Sequence, residues 1–351
     1  MANGNTTPVR AGQSQGAGDA LALFLKVFSG EVLTAFEAAT VMKDLHMIRT
    51  ISSGKQAQFP VTGTATAQYH TPGENIADAG NSYLSSFKFA EKTISIDGQL
   101  ISAAFSPNVD DLMNHYDHRS IIATELGRSL AYVFDKQVMY SLIAAARSSA
   151  NITGATSSAG VALSGGSVIA GQAKTSATAL IDAIFDAIEI LDTKDVPSED
   201  RYVVLRPQEY YLLINKTGEG TAIINRDFND GNGSMAKGTV FEIGGARIVK
   251  SNHVPVGLNL LTSGPASTED TLFGNAAVLN NVYGGSTGYA ANHTNHVCTV
   301  FHKAAAGTVK LLDLAMESEY QIERQGTLMV AKMMCGSAPL RPECAVEIKI
   351  A

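Results

Sequence analysis

Residues 118–148 read HRSIIATELGRSLAYVFDKQVMYSLIAAARS and contain the clearest helical pattern in the chain. Apolar side chains recur at steps of three and four, which predicts one buried stripe. The stripe consists of Ile122, Leu126, Leu130, Val133, Phe134, Val138 and Leu142. At about 1.5 Å per residue, a helix from Arg119 to Arg147 is about 43 Å long, which is long for a globular domain. A Gly/Ser/Ala-rich tract, residues 148–172, predicts a loop after it.

Residues 57–69 alternate between apolar and polar side chains, which predicts a half-buried strand. A second run, Phe87 to Ile96, predicts the returning strand of a hairpin with about twelve residues in each arm. A change of phase near residues 91–92 indicates a bulge or a bend. An isolated two-stranded hairpin is only marginally stable in water. We therefore expect it to lie on the rest of the protein or on another chain. The first strand's apolar face comprises Ala57, Phe59, Val61, Ala65, Ala67 and Tyr69.

The amino-terminal segment combines a polar tail with an apolar arm. Residues 1–18 are rich in Gly, Gln, Asn, Thr and Ser and predict a flexible tail. Apolar residues then recur near helical spacing from Leu21 to Phe36. Large apolar side chains after such a tail are typical of an arm that docks on a neighbouring subunit. An ordinary first helix of the core fits the same pattern, so both interpretations stay open at this point.

The remaining segments mix helices and strands without regular alternation, which indicates an α+β protein. Residues 176–193 predict an amphipathic helix with Asp182, Asp186 and Glu189 on its polar face. The other predicted elements are strand Tyr202–Leu205, helix Pro207–Asn215, strands over Val240–Lys250 broken at Gly244-Gly245, and strands Val297–His302, Thr308–Leu312, Met316–Arg324, Leu328–Met334 and Ala345–Ile350.

Composition excludes several classes of protein. The chain has 351 residues, with 26 Lys and Arg against 33 Asp and Glu, so its formal net charge is −7. A protein that binds nucleic acid through charge needs an excess of Lys and Arg, which this chain lacks. An apolar fraction of 45% excludes wholesale disorder. With no secretory leader, no run of about 20 apolar residues and three widely spaced cysteines, we expect reduced thiols, a reducing compartment and no membrane anchor.

Three polar clusters resemble metal sites, but each fits poorly. In the calcium-loop-like segment 225–236 the glycine comes one residue late and an alanine replaces the closing carboxylate. His293 and His296 lie in a Gly/Asn-rich context without a third ligand. The acidic face of the helix 176–193 is better explained as a solvated surface or as a contact with a basic partner. No common catalytic motif occurs, so we expect no enzyme activity, cofactor or metal.

Several collinear runs resemble the major capsid protein of T-seven-like short-tailed phages (podophages). They cover residues 20–120 and 300–345 well, whereas residues 150–295 match only in general pattern. The runs are LALFLKVFSGEVLTAF (Leu21–Phe36), HMIRTISSGK (His46–Lys55), QFPV (Gln58–Val61), PGENI (Pro72–Ile76), EKTISIDG (Glu91–Gly98), MNHYDHRS (Met113–Ser120), GTVKLLDLA (Gly307–Ala315) and LRPE (Leu340–Glu343).

The resemblance implies the Hong-Kong-97 (HK-97) type of phage capsid fold, which is α+β. Its parts would be an N-terminal arm (1–56), an E-loop hairpin (57–105), a peripheral P domain with the long spine helix (106–175 and 296–351) and an axial A domain (176–295). An apolar arm and a lone hairpin are then explained, because each becomes stable when it lies across a neighbour in a shell.

The resemblance also implies a structural function. Many copies would assemble as hexamers and pentamers into an icosahedral shell that encloses double-stranded DNA without sequence-specific binding. Assembly would be guided by a scaffolding protein around a portal protein in the host bacterial cytoplasm, and the shell would later expand into the virion capsid. An encapsulin-like compartment of the same fold and a soluble enzyme with an unrecognised site are the alternatives.

We expect subunit contacts in the arm and in the hairpin. Apolar burial between subunits would supply most of the free energy of assembly. Lys88 and Lys92 lie in the hairpin, but T-seven-like capsids are not crosslinked, so we expect no covalent bond between subunits. The residues predicted to contact a neighbour are Phe24, Leu25, Phe28, Phe59, Val61, Tyr69, Phe87 and Phe89.

Overall fold

The computed structural model describes residues 40–63, 67–77, 83–84, 88–113, 118–152, 164–170, 176–214, 242–255, 289, 292–293 and 295–350. The chain divides into two compact units. Among the described residues, the first unit contains 101–113, 118–131 and 314–332, and the second contains the others. The mixture of helices and sheets confirms the α+β prediction.

The predicted long helix is present as α2, His118–Arg147, with 30 residues; it follows a short helix α1, Asn108–Met113. The predicted single stripe is too narrow for its second half, because every residue from 133 to 143 is buried. Neighbouring segments cover this half on more than one side. Asp135 binds the backbone amides of Val41 and Met42 and the ring of His253. Met139, Leu142 and Ile143 line a small cavity that is also lined by Val204, Thr299 and Phe301.

The second unit is built on a six-stranded sheet. The strands are β5 (Ser167–Ile169), β6 (Arg201–Leu205), β7 (Glu242–Ile243), β8 (Ala246–Lys250), β9 (His296–His302) and β12 (Ala345–Lys349), in the order β5-β12-β9-β6-β8-β7. The pairs β5/β12 and β6/β8 are parallel, and the others are antiparallel. Strand β5 corrects the prediction of a loop throughout 148–172: its three residues pair with Val346–Ile348 at one edge.

Two helices complete this layer, both as predicted within the described residues. Helix α3, Ala177–Thr193, begins at Ser176, whose hydroxyl accepts a hydrogen bond from the Ala179 amide at 3.3 Å. Its apolar face is buried, whereas its acidic residues at 182, 186 and 189 are exposed. Helix α4 spans Pro207–Ile214. The β7–β8 turn requires glycine, because Gly244 has φ +56° and a Cβ there would lie 2.7 Å from Ile188 Cδ1.

A four-stranded sheet contains β1 (Met47–Thr50), β4 (Leu100–Pro107), β10 (Ala306–Gln321) and β11 (Gly326–Pro339), in the order β1-β10-β11-β4. The two predicted strands at 308–312 and 316–324 are instead one strand of 16 residues, because Asp313-Leu314-Ala315 contains neither glycine nor proline to break it. The strand ends in a 3-10 turn at Ile322–Arg324, before Gln325 with φ 49°. Leu328–Met334 was too short a prediction for β11, which has 14 residues.

The predicted hairpin is present but shorter than predicted. Strands β2 (Gln56–Thr62) and β3 (Phe89–Ser95) have seven residues each and pair antiparallel. The bulge predicted near residues 91–92 is wrong, since the pairing runs without a shift from Gln56↔Ser95 to Thr62↔Phe89. Residues 67–77 are not strand; they contain a turn at 72–73, where Gly73 has φ 98°.

Candidate functional site

The hairpin has one half-buried face and one exposed face. Directly opposed residues of an antiparallel pair project to the same side. Phe59 therefore shares a face with Lys92, and Val61 shares it with Ala90. This face becomes more buried toward the base of the hairpin, where Ala57 is 6% exposed and Ile94 is fully buried. Phe89 lies on the opposite face and is 74% exposed.

The eight predicted contact residues fall into three groups. Phe59 and Val61 are half-buried on the inner face. Phe89 on the outer face and Tyr69, which lies beyond the strand, expose large apolar rings to solvent. Phe24, Leu25, Phe28 and Phe87 lie outside the described residues. No contact with a neighbour is tested by a single chain, so all eight assignments stay predictions.

The base of the hairpin is anchored in the second unit. Ala57, Ile94, Ile96 and Val309 form a buried apolar cluster. Beyond that cluster the inner face is held by Arg49, whose guanidinium lies 5.5 Å from the centre of the Phe59 ring and donates to the Gln58 carbonyl at 3.1 Å. The hairpin therefore has a fixed base and an exposed far end.

The first unit carries exposed apolar side chains that the sequence analysis missed. Phe105 lies over Gly326, where a Cβ would collide with its ring. The Asn108 amide donates to the Gln325 carbonyl at 3.0 Å, which brings the start of α1 to the 3-10 turn. These side chains lie on short segments, in which a periodic apolar pattern is hard to recognise, although Val109 and Met113 have the i,i+4 spacing of one helical face. The exposed members are Ile101, Phe105, Val109, Met113, Tyr320 and Ile322.

A buried carboxylate holds the first described residues. Asp135, in the middle of α2, is fully buried. Its Oδ2 accepts the Val41 amide at 3.0 Å, and its Oδ1 accepts the Met42 amide at 3.3 Å. The same Oδ2 also accepts from His253 Nδ1 at 2.9 Å. A charged residue inside the run YVFDKQVMY was the sequence signal for this centre, because buried charges need several partners.

A second polar chain continues from Met42. His46 Nδ1 lies 2.5 Å from the Met42 carbonyl, which only accepts, so Nδ1 carries the proton. His46 Nε2 then accepts from the Thr308 hydroxyl at 2.8 Å, and Thr308 bonds Ser337 at 2.7 Å. Burial lowers the pKa of His46 to about 4, which keeps the ring neutral at neutral pH.

The six-stranded sheet has its own buried carboxylate, Glu347 on β12. It is fully buried, and Arg147 binds it through two nitrogens at 2.6 and 2.5 Å. His296 Nδ1 donates to it at 3.1 Å. Burial alone raises the pKa of the Glu347 carboxyl, but the hydrogen bonds from Arg147 and His296 outweigh burial and lower the pKa to about 2. The carboxylate thus stays charged well into the acid range.

A third buried carboxyl, Asp97, lies just after β3. Tyr289 donates its hydroxyl proton to Asp97 at 2.7 Å and accepts the Ser337 amide at 3.1 Å. Burial raises the pKa of Asp97 to about 6, and the tyrosine bond only partly opposes this. Asp97 therefore begins to take up a proton just below neutral pH.

Within the described residues there is no cluster of three metal-binding side chains. His293 and His296 are buried, but His296 is bound to Glu347, and burial lowers the pKa of His293 to about 3. The calcium-like segment 225–236 lies outside the described residues. None of the helices in the described part has the length and apolar character to cross a membrane. All three cysteines are buried free thiols, and burial raises the pKa of each.

Comparison with known proteins gives one consistent result. The family described as "Gp10A-like: Major capsid protein" matches residues 58–349. The major capsid protein of Escherichia phage T7 is 34% identical over 339 residues, which cover 94% of this chain and 92% of that relative. The major capsid protein of Enterobacteria phage T3 is 34% identical over 364 residues, with 98% and 97% covered.

Solved structures agree. The capsid of Cyanophage P-SCSP1u is similar with a TM-score of 0.71 and 39% identity, and 99% of both chains is covered. The mature capsid of bacteriophage PhiM1 has a TM-score of 0.67 at 19% identity, with 91% of this chain and 89% of that chain covered, and so supports the fold alone. The match extends through residues 150–295, where the sequence resemblance was only general.

Proposed function

This chain belongs to the Gp10A-like family of major capsid proteins and has the HK-97 type of phage capsid fold, and from that premise we propose how its copies build a shell. It is the major capsid protein of a phage, so its place is the virion capsid. The copies assemble as hexamers and pentamers into a closed icosahedral shell that encloses double-stranded DNA and expands after assembly.

The hairpin and the arm supply contacts between neighbouring copies. The observation that carries this proposal is the exposure of Phe89, 74%, at the end of a hairpin whose base is anchored. An aromatic ring gains free energy when a partner covers it, at about 25 cal/mol per Å² before association costs. Phe59, Val61, Tyr69 and Phe87 belong to the same hairpin contact, and the apolar arm residues at 24, 25 and 28 form a second contact.

A scaffolding protein and a portal protein guide assembly in the host bacterial cytoplasm. The DNA is enclosed without sequence-specific binding. The net charge of −7 supports this, because a strongly basic wall would hold packaged DNA by counterion release and hinder its exit. The division into arm (1–56), E-loop (57–105), P domain (106–175 and 296–351) and A domain (176–295) belongs to the same proposal.

The role is structural and not enzymatic. Capsid relatives cover nearly the whole chain, and the buried carboxylates described above are occupied by backbone amides, Arg147 or Tyr289. Such groups are engaged in holding segments together. Lys88 and Lys92 form no crosslink with another subunit, so denaturing gels of shells would show a single monomer band; a ladder of multimers contradicts this.

Electron microscopy of the purified chain, alone and co-expressed with its scaffolding protein, tests the proposal. Closed shells, or rings that assemble into them, are expected. Discrete small particles that never assemble contradict the shell. Shells that enclose protein cargo and no DNA favour an encapsulin-like compartment instead.

A double variant tests the arm. Phe24→Ser with Phe28→Ser removes two apolar side chains and should leave a soluble subunit that forms no shells. The matched control, Phe24→Leu with Phe28→Leu, keeps the apolar character and should assemble. Normal shells from the serine variant exclude the arm from the contact.

A further inference from the structure

We infer that Asp135 is a positioning residue for assembly: one buried carboxylate fixes the place where the amino-terminal arm leaves the subunit. The arm then reaches a neighbouring copy from a constant origin at Val41 and Met42, the two residues that Asp135 binds. The inference rests on the proposed function, because it matters only if the arm contacts a neighbour. It goes beyond that function by naming the residue that sets the arm's origin and the point where the arm can turn.

The carboxylate binds the chain at the first possible residues. Val41 and Met42 donate consecutive backbone amides to its two oxygens, at 3.0 and 3.3 Å. Hydrogen bonds to an ionised acceptor are roughly twice as strong as neutral ones. Because Asp135 has no exposed surface and lies inside a helix that is buried all round, the anchor point does not move with solvent-exposed segments.

The residues after the anchor are fixed as well. Met42 is fully buried, its carbonyl accepts from His46, and His46 is bound through Thr308 to Ser337. Residues 47–50 then pair with β10. Val41, Met42, Leu45, His46 and the strand Met47–Thr50 are therefore held, whereas Lys43 and Asp44 between them are exposed. If the arm rearranges between states of the shell, it turns before the bound residues Val41 and Met42.

A fixed origin limits where the arm can dock. Phe28 lies twelve residues and Phe24 sixteen residues before Thr40. Sixteen residues span about 24 Å as a helix, at about 1.5 Å per residue, and at most about 54 Å when extended, at about 3.4 Å per residue. The starting point of the arm therefore limits which neighbouring copy Phe24 and Phe28 can meet.

The anchor is shared with another segment. His253 Nδ1 donates to the same Oδ2 that holds Val41, and the His253 ring contacts Tyr132 edge-on at 4.5 Å between ring centres. Replacing the carboxylate therefore disturbs both the arm exit and residues 251–255. Because both segments bind the same oxygen, exchange should be measured separately at residues 41–42 and at residues 251–255.

The test compares two fully buried carboxylates that each hold a histidine Nδ1. Asp135→Asn keeps one acceptor oxygen but places an amide donor against the other backbone donor, so the anchor through two consecutive amides is broken. Glu347→Gln alters the matched network of the six-stranded sheet, remote in sequence from the arm. Hydrogen–deuterium exchange at residues 41–42, the thermal midpoint and the yield of closed shells are measured for both variants and for the unmodified chain.

Both variants should lower the thermal midpoint. Only Asp135→Asn should speed exchange at Val41 and Met42, by at least about tenfold, and only it should replace closed shells with open or irregular assemblies. Asp135→Glu, which keeps the charge, should restore part of the shell yield. Unchanged exchange at residues 41–42 in Asp135→Asn, or the same arm release and shell loss in Glu347→Gln, overturns the inference.

The unmodified chain gives a second test that does not depend on a variant's folding. Exchange of the Val41, Met42 and Leu45 amides should stay slow in capsomers and in shells, because each has a hydrogen-bond acceptor. Fast exchange of the Val41 and Met42 amides in either state overturns the inference. If the chain never forms shells, the proposed function fails, and slow or fast exchange of these two amides still decides whether the anchor exists.

Discussion

The six-stranded sheet and the β2–β3 hairpin are built from the same kind of strand, yet their strands are buried to different extents. In β9 the residues from His296 to Phe301 are all buried, with Phe301 fully so. In β3 alternate residues are exposed, and Phe89 has most of its surface in solvent. Helices cover the sheet, whereas none of the described residues buries the outer face of the hairpin.

We expect this difference in burial to distinguish residues that stabilise the folded subunit from residues that act in assembly. Burial in the sheet stabilises the subunit before it meets any partner. A two-stranded hairpin is marginal in water, and its outer face contributes little to the isolated subunit. Changes in the sheet should therefore act on subunit stability, and changes on the outer face of the hairpin should act on assembly.

A large effect is expected from breaking the sheet's ion pair. Arg147→Ala leaves Glu347 charged and buried, with His296 as its remaining partner among the described side chains. Removing one partner of a fully buried pair costs about 3–5 kcal/mol, and because the Arg147 side chain is 30% exposed and water can enter the vacated site, the lower end of that range is expected. Urea unfolding should show this loss, whereas Arg128→Ala, which removes a partly exposed pair with Glu125, should cost less than about 1 kcal/mol. If both variants lost the same free energy of unfolding, the ion pair with Glu347 would contribute no more to stability than a partly exposed pair.

The comparison itself is tested by one substitution made twice. Phe301→Ala empties a fully buried site and should lower the free energy of unfolding by about 3–5 kcal/mol. Phe89→Ala removes an exposed ring and should change it by less than about 0.5 kcal/mol, yet reduce shell yield. A stable subunit that still forms normal shells after Phe89→Ala would remove the outer face from the contact.

Acid should act on the His46 contact with β10 and β11 before it acts on the ion pair of the six-stranded sheet. His46 has a folded pKa of about 4, below its unfolded value of 6.5, so its stabilising effect is present above pH 6.5 and is lost as pH falls toward 4. The full loss is roughly 3 kcal/mol. Glu347, with a pKa of about 2, keeps its ion pair through this window. In thermal unfolding between pH 7 and pH 4, His46→Gln should lose roughly 3 kcal/mol less than the unmodified chain, while buried His293, whose pKa is lowered to about 3, leaves both chains with a further loss in acid.

Asp97 acts with the opposite sign and has to be removed from that measurement. Its folded pKa of about 6 lies above its ordinary value of 3.8, so its stabilising effect is fully present below pH 3.8 and is lost as pH rises through 6. Comparing Asp97→Asn with the double variant Asp97→Asn/His46→Gln isolates the histidine. A pH dependence that is the same in both would exclude His46 as its source.

The smallest effect is expected at the link between β1 and the hairpin. Arg49→Ala removes the guanidinium over Phe59 and its bond to the Gln58 carbonyl. Cation–π contacts at exposed sites contribute about 0.5–1 kcal/mol. Exchange of the β2 amides should become faster while those of β9 are unchanged. Arg49→Lys keeps the charge but not the planar contact, so exchange of its β2 amides should be faster than in the unmodified chain and slower than in Arg49→Ala.

Periodic patterns predicted the elements that bury one regular face. The stripe from Leu126 to Leu142 gave the long helix, and the alternation from Ala57 to Val61 gave the hairpin. The lengths of the strands were harder to predict than their positions. The alternation continues in sequence to Tyr69, but the strand ends at Thr62, because no neighbour pairs with residues 67–77 among those described.

Polar centres formed by distant residues could not be predicted from spacing. Asp135 meets partners 94 and 118 positions away, and Arg147 meets Glu347 200 positions away. Only the presence of a charge within an apolar run hinted at them. The arm residues Phe24, Leu25 and Phe28 were chosen for their apolar pattern, and no fold of one chain tests that choice.

The depth of the three thiols has a practical consequence for following such particles in solution. Cys298, Cys335 and Cys344 are buried, and burial raises the pKa of Cys335 to about 12 and of Cys344 to about 11. The reactive thiolate is therefore almost absent at neutral pH. A single cysteine introduced at an exposed position outside the proposed contacts, such as Ser198, becomes the one site for a maleimide dye. Every subunit then carries one fluorophore, and the brightness of a particle counts its copies.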